Sequence, residues 1–468
     1  MGPPADDDGR SRSSSDSKQN SPFQSPVLSA SGSCTSLDFD RNSMNSDEEM
    51  MGEENQSDAG LSPAPSVYSL TESLKEQSIR FEHGREVNNH SEIYKLAADE
   101  REARRLDREH RMYKRLVGGY VPPLHEVLAD NDDPLNPKAC LDLGCGSGAW
   151  ILEVANDFPH VQCTGVDLVP LPTIHSNDAQ TPPNVLFEID DITLGLDHFA
   201  GDFDVVHVRS ISSGVRDYYR IIDDAALVLR PRGLADFSET DWRLYDIDKQ
   251  IIVPTTAEIW GSVEPPEGWT GTGMARIGGG GRTNGGGRGC GVKGDGNVNG
   301  CERGSPGKRF SGSTKRTSPS PFLARFVTLA RQAAQRRGGH IDAAPLLHRW
   351  FTEHRNFEEV VYKEHWFPCS SWVEDKEIQK HSSFRGVSHE DINTLCFIGR
   401  EMGEDLLEFM QSTRPLILGT GVPEEVYERL KDGATREIHE GNLPMYMRTQ
   451  HVYARKISSE ISTGSTAY

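Results

Sequence analysis

The stretch from Cys140 to Leu168, CLDLGCGSGAWILEVANDFPHVQCTGVDL, constrains this chain more than any other. A short apolar run, Ala139 to Leu143, carries Asp142 at its end and leads into three alternate glycines, Gly144, Gly146 and Gly148. From Ala149 to Phe158 the apolar residues Trp150, Ile151, Val154 and Ala155 then recur at helical spacing. The order is strand, tight turn, helix. Glycine suits such a turn because it reaches positive φ cheaply and lets the backbone approach a ligand without a Cβ in the way. A second strand-like run, Val161 to Val166, places Asp167 at its carboxyl end, where open α/β sheets bind ligands. Asp167 lies 19 residues after Gly148, a separation that suits a carboxylate receiving two ribose hydroxyls. A nucleoside-bearing ligand is therefore expected.

Two such ligands compete, because Gly144, Gly146 and Ala149 also satisfy the relaxed GxGxxG/A pattern of dinucleotide binders. Charge separates them. Asp142, two residues before the first glycine, would have to share space with a pyrophosphate of like sign. S-adenosylmethionine has no phosphate and carries a sulfonium and an ammonium, which a nearby carboxylate favours. S-adenosylmethionine is thus the expected cofactor, ahead of a nicotinamide dinucleotide and of a purely structural glycine turn.

Net charge and cysteine usage exclude several classes. A net charge of −21 over 468 residues argues against a general nucleic-acid binder, whose footprint would be a basic patch. The eight cysteines form no CxxC pair and no Cys/His ligand set, so neither a disulfide framework nor a metal site is expected. No apolar run approaches the roughly 18 residues of a membrane span. The acidic start MGPPADDDGR lacks the apolar core of a signal peptide. These features predict a soluble cytoplasmic or nuclear protein with no membrane partner and no direct nucleic-acid binding.

Along the chain, residues 1–75 are rich in Ser, Asp, Glu and Pro, a composition that buries too little apolar surface to offset chain entropy, and disorder is expected. A helical cap is expected over 76–125, where AADEREARRLDREHRMYKRLV places Ala103, Leu106, His110, Tyr113 and Leu116 or Val117 on one stripe. The cofactor-binding α/β core is assigned to 126–267. After Asp167 its rhythm continues through NVLFEIDDI, FDVVHVRS, the helical VRDYYRIIDDAALVLR and GLADFSETD, which predicts a mostly parallel sheet covered on both faces. Residues 268–320 are Gly-rich and basic and read as a disordered insertion in a surface loop, with Cys290 and Cys301 as free thiols. Residues 321–456 add the helix FLARFVTLARQAAQRRGG, ending at Gly338 and Gly339, the helix APLLHRWFTEH, the strand FEEVVYKEHWFP, the helix HEDINTLCFIGREMGEDLLEFMQS, a short helix opened by Pro423 and the strand MYMRTQHVYARK, completing the same sheet. A tail, 457–468, follows.

The run LDLGCGSG, the acid Asp167 after the second strand, FEIDD after the third and LRPRG before the fifth together resemble a class I S-adenosylmethionine-dependent methyltransferase. More narrowly, HGREVNNHSEIYKLAADEREARRLDREH ahead of the fold, with GGHIDAAPLLHRWFTEHRNFEEVVYKEHWFP and VYARK behind it, is similar to the fungal LaeA-like methyltransferases linked to the regulation of secondary metabolism. The resemblance covers residues 78–260 and 321–456. It implies a Rossmann-like α/β fold whose seven-stranded sheet ends in an antiparallel strand and carries helices on both faces. By position it implies that Asp142, Gly144 and Gly146 face the methionine part of the cofactor, with Cys145, Gly148 and Leu168 in the same loops. Asp167 would take the ribose hydroxyls and Asp191 the adenine amino group, beside the Ile192 amide, with Asp190 as its rival. Arg232 stands where the family often has glycine.

Methyl transfer is an in-line displacement, so the enzyme's main task is to hold the nucleophile near the methyl and exclude water. If the acceptor loses a proton, a His or carboxylate at the mouth of the fourth or fifth strand can take it. His207 within FDVVHVRS is one candidate, although a hydrogen-bonded strand histidine explains it as well, and Glu239 and Asp241 are expected just beyond the fifth strand. Arg105 and His110 are placed to close over the cofactor or to pack the helix, and Trp150 to pack helix against sheet. The acceptor's class stays open between small metabolite, protein side chain and histone. A second class of function also stays open, a cofactor-binding regulator or scaffold without turnover that works through protein partners, and a nicotinamide-dependent oxidoreductase is the third.

Overall fold

A computed structural model describes residues 76–170, 181–269 and 318–458. The expectations for residues 1–75, for nearly all of the Gly-rich segment with Cys290 and Cys301, and for the last ten residues lie outside the described residues.

The elements begin with a hairpin, β1 (Ile79–Glu82) and β2 (Arg85–Asn88), and a long helix, α1 (Glu100–Val117). After the short α2 (Leu124–Val127) come β3 (Ala139–Leu143), α3 (Ala149–Asp157), β4 (Gln162–Asp167), β5 (Val185–Ile189) and β6 (Phe203–Arg209). Next are α4 (Tyr218–Val228), β7 (Leu229–Tyr245) and α5 (Thr256–Trp260). Past residue 318 come α6 (Phe322–Arg337), α7 (Leu347–Glu353), β8 (Phe357–Pro368), α8 (His389–Ser412), α9 (Arg414–Leu418), α10 (Glu424–Glu440) and β9 (Tyr446–Lys456).

Seven strands form one sheet in the order β5-β4-β3-β6-β7-β9-β8. Neighbours from β5 to β7 pair in parallel, whereas β9 runs antiparallel to both β7 and β8. The expected class I sheet with its antiparallel last strand is therefore present. Alternation along the strands builds two apolar layers. Leu141, Leu143, Val206, Val208 and Phe237 meet α4 and α7 on one face. Cys140, Cys163, Val205 and Leu234 meet Trp150, Ile151 and Val154 of α3 on the other. A third cluster joins Trp242 and Leu244 of β7 to α6, α8 and α10, so residues beyond 318 complete the same sheet and roof one end of it.

Several local expectations shift. The hairpin β1/β2 falls in a segment read only as a helical cap; its turn holds His83 and Gly84 at φ +47 and +85. The helix after Pro423 is long, spanning 17 residues. Gly433 within it interrupts nothing, because a Cβ there would stand 2.3 Å from the Phe322 ring, and glycine is what lets α6 close on α10. β7 runs well past Gly233–Asp241 at both ends. Its start is carried through Arg232 in the left-handed region at φ +66, which explains why glycine suits this place. No helix among the described residues is long and apolar enough to cross a membrane.

Candidate active site

The glycine turn wraps the end of β4. The N–H groups of Gly144 and Cys145 donate to the Val166 carbonyl at 2.8 and 3.0 Å, and the Gly146 N–H donates to Asp167 Oδ2 at 2.8 Å. Gly144 and Gly146 take φ of +71 and +58, the conformation that selects glycine here. Beside this turn, at the carboxyl ends of β3 to β7, lies a cavity of about 190 Å³.

Nine of the expected cofactor residues line that cavity: Asp142, Gly144, Cys145, Gly146, Asp167, Leu168, Asp190, Asp191 and Ile192. Gly148 does not; at φ +78 it opens α3 instead. Burial raises the Asp167 carboxyl to about 6, against the pull of the Gly146, Val169 and Leu168 amides. Asp191 uses Oδ1 to cap the short turn Ile192–Leu194, accepting from the Thr193 N–H at 2.9 Å and its hydroxyl at 2.7 Å. Asp190 accepts from the Asp191 N–H at 2.7 Å. A carboxylate accepts about four hydrogen bonds, so these acids keep lone pairs for a ligand. Four carboxylates gathered on one wall suit a cationic ligand with hydroxyl and amino donors, which S-adenosylmethionine is, and oppose a pyrophosphate.

The three catalytic candidates divide. His207 lines the cavity; its Nδ1 hydrogen-bonds Asp142 Oδ1 at 2.8 Å and its ring stacks on Trp150 at 3.8 Å between centroids. Trp150 thus packs helix against sheet through this histidine. Glu239 and Asp241 do not sit beyond the fifth strand. Both are inside β7, both are fully buried, and neither lines the cavity. Glu239 Oε1 accepts from the Ile211 N–H at 2.8 Å, the Ser212 N–H at 3.2 Å and the Tyr218 hydroxyl at 2.9 Å, and burial pushes its carboxyl up to about 7. Asp241 Oδ2 accepts from the Tyr245 hydroxyl at 2.5 Å and from Arg448 at 2.8 Å. Each acid holds a loop or strand in place.

The far half of the cavity has another character. Between Thr240 and Leu244 the pairing of β7 with β9 slips, since Thr240 meets Thr449 while Leu244 meets Met447. The extra residues form a bulge in which Trp242 takes φ +44 and lines the cavity. Bulges that re-aim a side chain are over-represented beside active sites. Opposite Trp242, α8 contributes Met402, Leu406 and Phe409, and the Phe409 ring meets the indole edge-on at 5.1 Å. Phe367 and Met447 come from β8 and β9, and Met112 and Tyr113 from α1.

α1 and α8 are joined across the cavity wall by a buried ion cluster. Arg105 donates to Glu102 at 2.8 Å, to Glu109 at 2.6 Å and to Asp405 at 3.2 Å. Burial, together with Glu109 and Glu102, leaves the Asp405 carboxyl at about 7 in spite of Arg105. Of the two residues expected to close over the cofactor, Arg105 does line the cavity, whereas His110 turns to Glu153 at 2.9 Å. Residues from β8, α8 and β9 were not foreseen at the site. The charged positions Arg105 and Glu109, on the buried side of an otherwise solvated helix, were the one local sign that α1 faces a cavity.

Residues 140–233 match the family model of a methyltransferase domain. The chain is 33% identical over 379 residues to the secondary metabolism regulator laeA of Coprinopsis cinerea, covering 81% of this chain and 74% of that protein. It is 30% identical over 328 residues to the methyltransferase pytC of Aspergillus terreus, covering 69% of this chain and 75% of that protein. A shorter match, 28% identical over 149 residues, joins it to the methyltransferase str2 of Strobilurus tenacellus, covering 32% of this chain and half of that protein.

Proposed function

Because this chain belongs to the LaeA-like S-adenosylmethionine-dependent methyltransferases, we propose that it methylates an acceptor in fungal secondary metabolism or in the regulation of that metabolism. The bound cofactor supplies a methyl group on a sulfonium, open to in-line displacement. Asp142 with Gly144 and Gly146 holds its methionine part, Asp167 the ribose hydroxyls, and Asp191 with the Ile192 amide the adenine. The observation that carries this assignment is the Gly146 N–H on Asp167 Oδ2 at 2.8 Å, which fixes the carboxylate at the end of β4 on the cavity wall.

The chain's own work is positioning and exclusion of water. The roof of α1 and α8, tied through Arg105 and Asp405, covers the strand ends so that the nucleophile meets the methyl in a dry pocket. The family supports a methyl-acceptor substrate, and the regulator among its relatives supports protein partners as a further layer. A cytoplasmic or nuclear setting agrees with the buried free thiols Cys140, Cys163 and Cys369. Calorimetry with S-adenosylmethionine, S-adenosylhomocysteine and NAD tests the cofactor, and transfer of a labelled methyl group tests turnover. Tighter binding of NAD than of S-adenosylhomocysteine would overturn the reading; binding without any transfer would leave a regulator in place of an enzyme.

A further inference from the structure

Resting on the methyltransferase reading above, we propose that the acceptor is a small, planar, largely apolar molecule bearing a hydroxyl, bound against Trp242, and that Tyr113, His451 and Asp236 receive its proton. The cavity divides by sheet order. Its acids lie over β3, β4 and β5, whereas its far half lies over β7, β9 and β8. There Trp242, Phe367, Met402, Phe409 and Met447 all line the cavity while each exposes less than a tenth of its surface. Walls this buried and apolar suit a compact molecule better than the polar backbone of a peptide. Aromatic and methionine walls suit a flat ring, through offset or edge contacts and polarizable sulfur. The bulge that holds Trp242 at φ +44 places a bulky residue in a backbone region it rarely adopts, a cost met where a site is being shaped.

Beside this chamber a chain of hydrogen bonds leads away from the Tyr113 ring, which lines it. His451 Nε2–H donates to Asp236 Oδ1 at 2.5 Å, which leaves Nδ1 to accept the Tyr113 O–H at 3.2 Å. Burial would raise the Asp236 carboxyl, but His451, His207 and Arg209 hold it below its ordinary value, so it stays a carboxylate. A second cavity, of about 20 Å³, borders Tyr113, His451 and Asp236 and has room for a water. In the step, the acceptor oxygen forms its bond to the methyl carbon as the carbon–sulfur bond breaks, the electron pair staying on sulfur. The acceptor proton passes to the Tyr113 oxygen as that hydroxyl's own proton moves to His451 Nδ1, giving an imidazolium beside Asp236 that releases its proton to water. The products are a methyl ether and neutral S-adenosylhomocysteine. Tyr113 is the residue that touches the acceptor; His451 and Asp236 are positioning residues.

The chamber is tested with 2-naphthol, a flat apolar phenol, titrated into the full chain saturated with S-adenosylhomocysteine. Binding is expected, and Met402→Trp or Met447→Trp, which fill the chamber from opposite walls, should weaken it at least tenfold while S-adenosylhomocysteine still binds. No binding, or binding unchanged in a filled variant that holds S-adenosylhomocysteine, overturns the chamber. Failure to bind S-adenosylhomocysteine at all is instead the failure of the methyltransferase reading. For the relay, labelled methyl transfer into the ethyl acetate-soluble and protein fractions of a fungal mycelial extract is measured. Label should enter the soluble fraction, with Tyr113→Phe and His451→Gln lowering its rate about 100-fold or more at unchanged half-saturating S-adenosylmethionine. Label confined to protein, no label from a chain that binds S-adenosylhomocysteine, or rates untouched by both variants each overturn the proposal.

Discussion

The Cγ2 atom of Ile211 lies 2.6 Å from the point that a Cβ on Gly144 would occupy. Ile211 has little room to withdraw, because its N–H donates to the buried Glu239 at 2.8 Å. Gly144 also takes φ +71, so a side chain there meets a clash and an unfavourable backbone region together. Gly144→Ala is expected to cost about 2–4 kcal/mol of stability and to abolish S-adenosylhomocysteine binding. A thermal melt and a titration check both, and an unchanged melt would show that the loop after β6 yields.

Asp167 predicts a trade between stability and binding. Its carboxyl titrates near 3.8 when free and at about 6 in the fold, because burial disfavours the charge. The unfolded chain therefore releases this proton first. Stability falls as pH rises from about 4 to about 6, and the penalty is fully present above that. Asp167→Asn should raise stability at pH 7 by about 1–3 kcal/mol, a gain that fades as pH drops towards 4. The same variant should weaken S-adenosylhomocysteine, since an amide offers the ribose hydroxyls one acceptor oxygen where the carboxylate offers two. Melts across pH with parallel titrations at pH 7 decide it; a variant less stable than the parent at pH 7 would show that the Gly146 bond outweighs desolvation.

The cofactor half of the site was legible because it is local. Asp142, the glycines and Asp167 fall within 26 residues, and each position follows from the end of a strand or the needs of a turn. The far half of the cavity is assembled from a distance. Tyr113 and His451 meet across 338 positions, and Arg105 and Asp405 across 300, so no window of sequence contains either pair. In β7 the polar run Ser238 to Asp241 gives no local sign of burial, yet Asp236, Ser238, Glu239 and Asp241 are all buried in the fold. Glu239 and Asp241 were misplaced for a related reason: acids near a strand end read as a rim until the strand proves to continue to Tyr245. The β1/β2 hairpin did leave a signal, since His-Gly between two short runs supplies the two positive φ values of a tight turn, but the charged residues around it read as helix.

Arg232, at φ +66, tests how far ion pairs offset an unfavourable backbone. Its guanidinium reaches Glu358 at 2.6 Å and Glu359 at 2.8 Å, all three side chains being about half exposed. Exposed pairs contribute about 0–1 kcal/mol each, while a left-handed residue other than glycine costs about 1–2 kcal/mol. Arg232→Gly is therefore expected to leave stability unchanged or raise it by up to about 1 kcal/mol, and to leave cofactor affinity alone. A melting temperature clearly below the parent's would mean that these pairs anchor the edge strand β8.

Arg105 is the opposite case, because its charge is buried. Glu102, Glu109 and Asp405 all bond it, and Glu102, Arg105 and Asp405 are each about one-twentieth exposed or less. Removing one member of such a cluster leaves charges that neither water nor a partner neutralises, typically a loss of about 3–5 kcal/mol. Arg105→Met keeps much of the side-chain volume, so its effect isolates the charge. Without the guanidinium Asp405, already at about 7, moves further up. At low pH it is neutral and tolerates burial; as pH rises, keeping or losing its proton in the fold costs progressively more. The loss should therefore be small near pH 5 and large near pH 8, and Arg105→Met with Asp405→Leu should recover part of it. Because the cluster ties α1 to α8 over the cavity, S-adenosylhomocysteine affinity should fall with the same pH dependence. Equal losses at both pH values would show that Arg105 acts through packing and not through its charge.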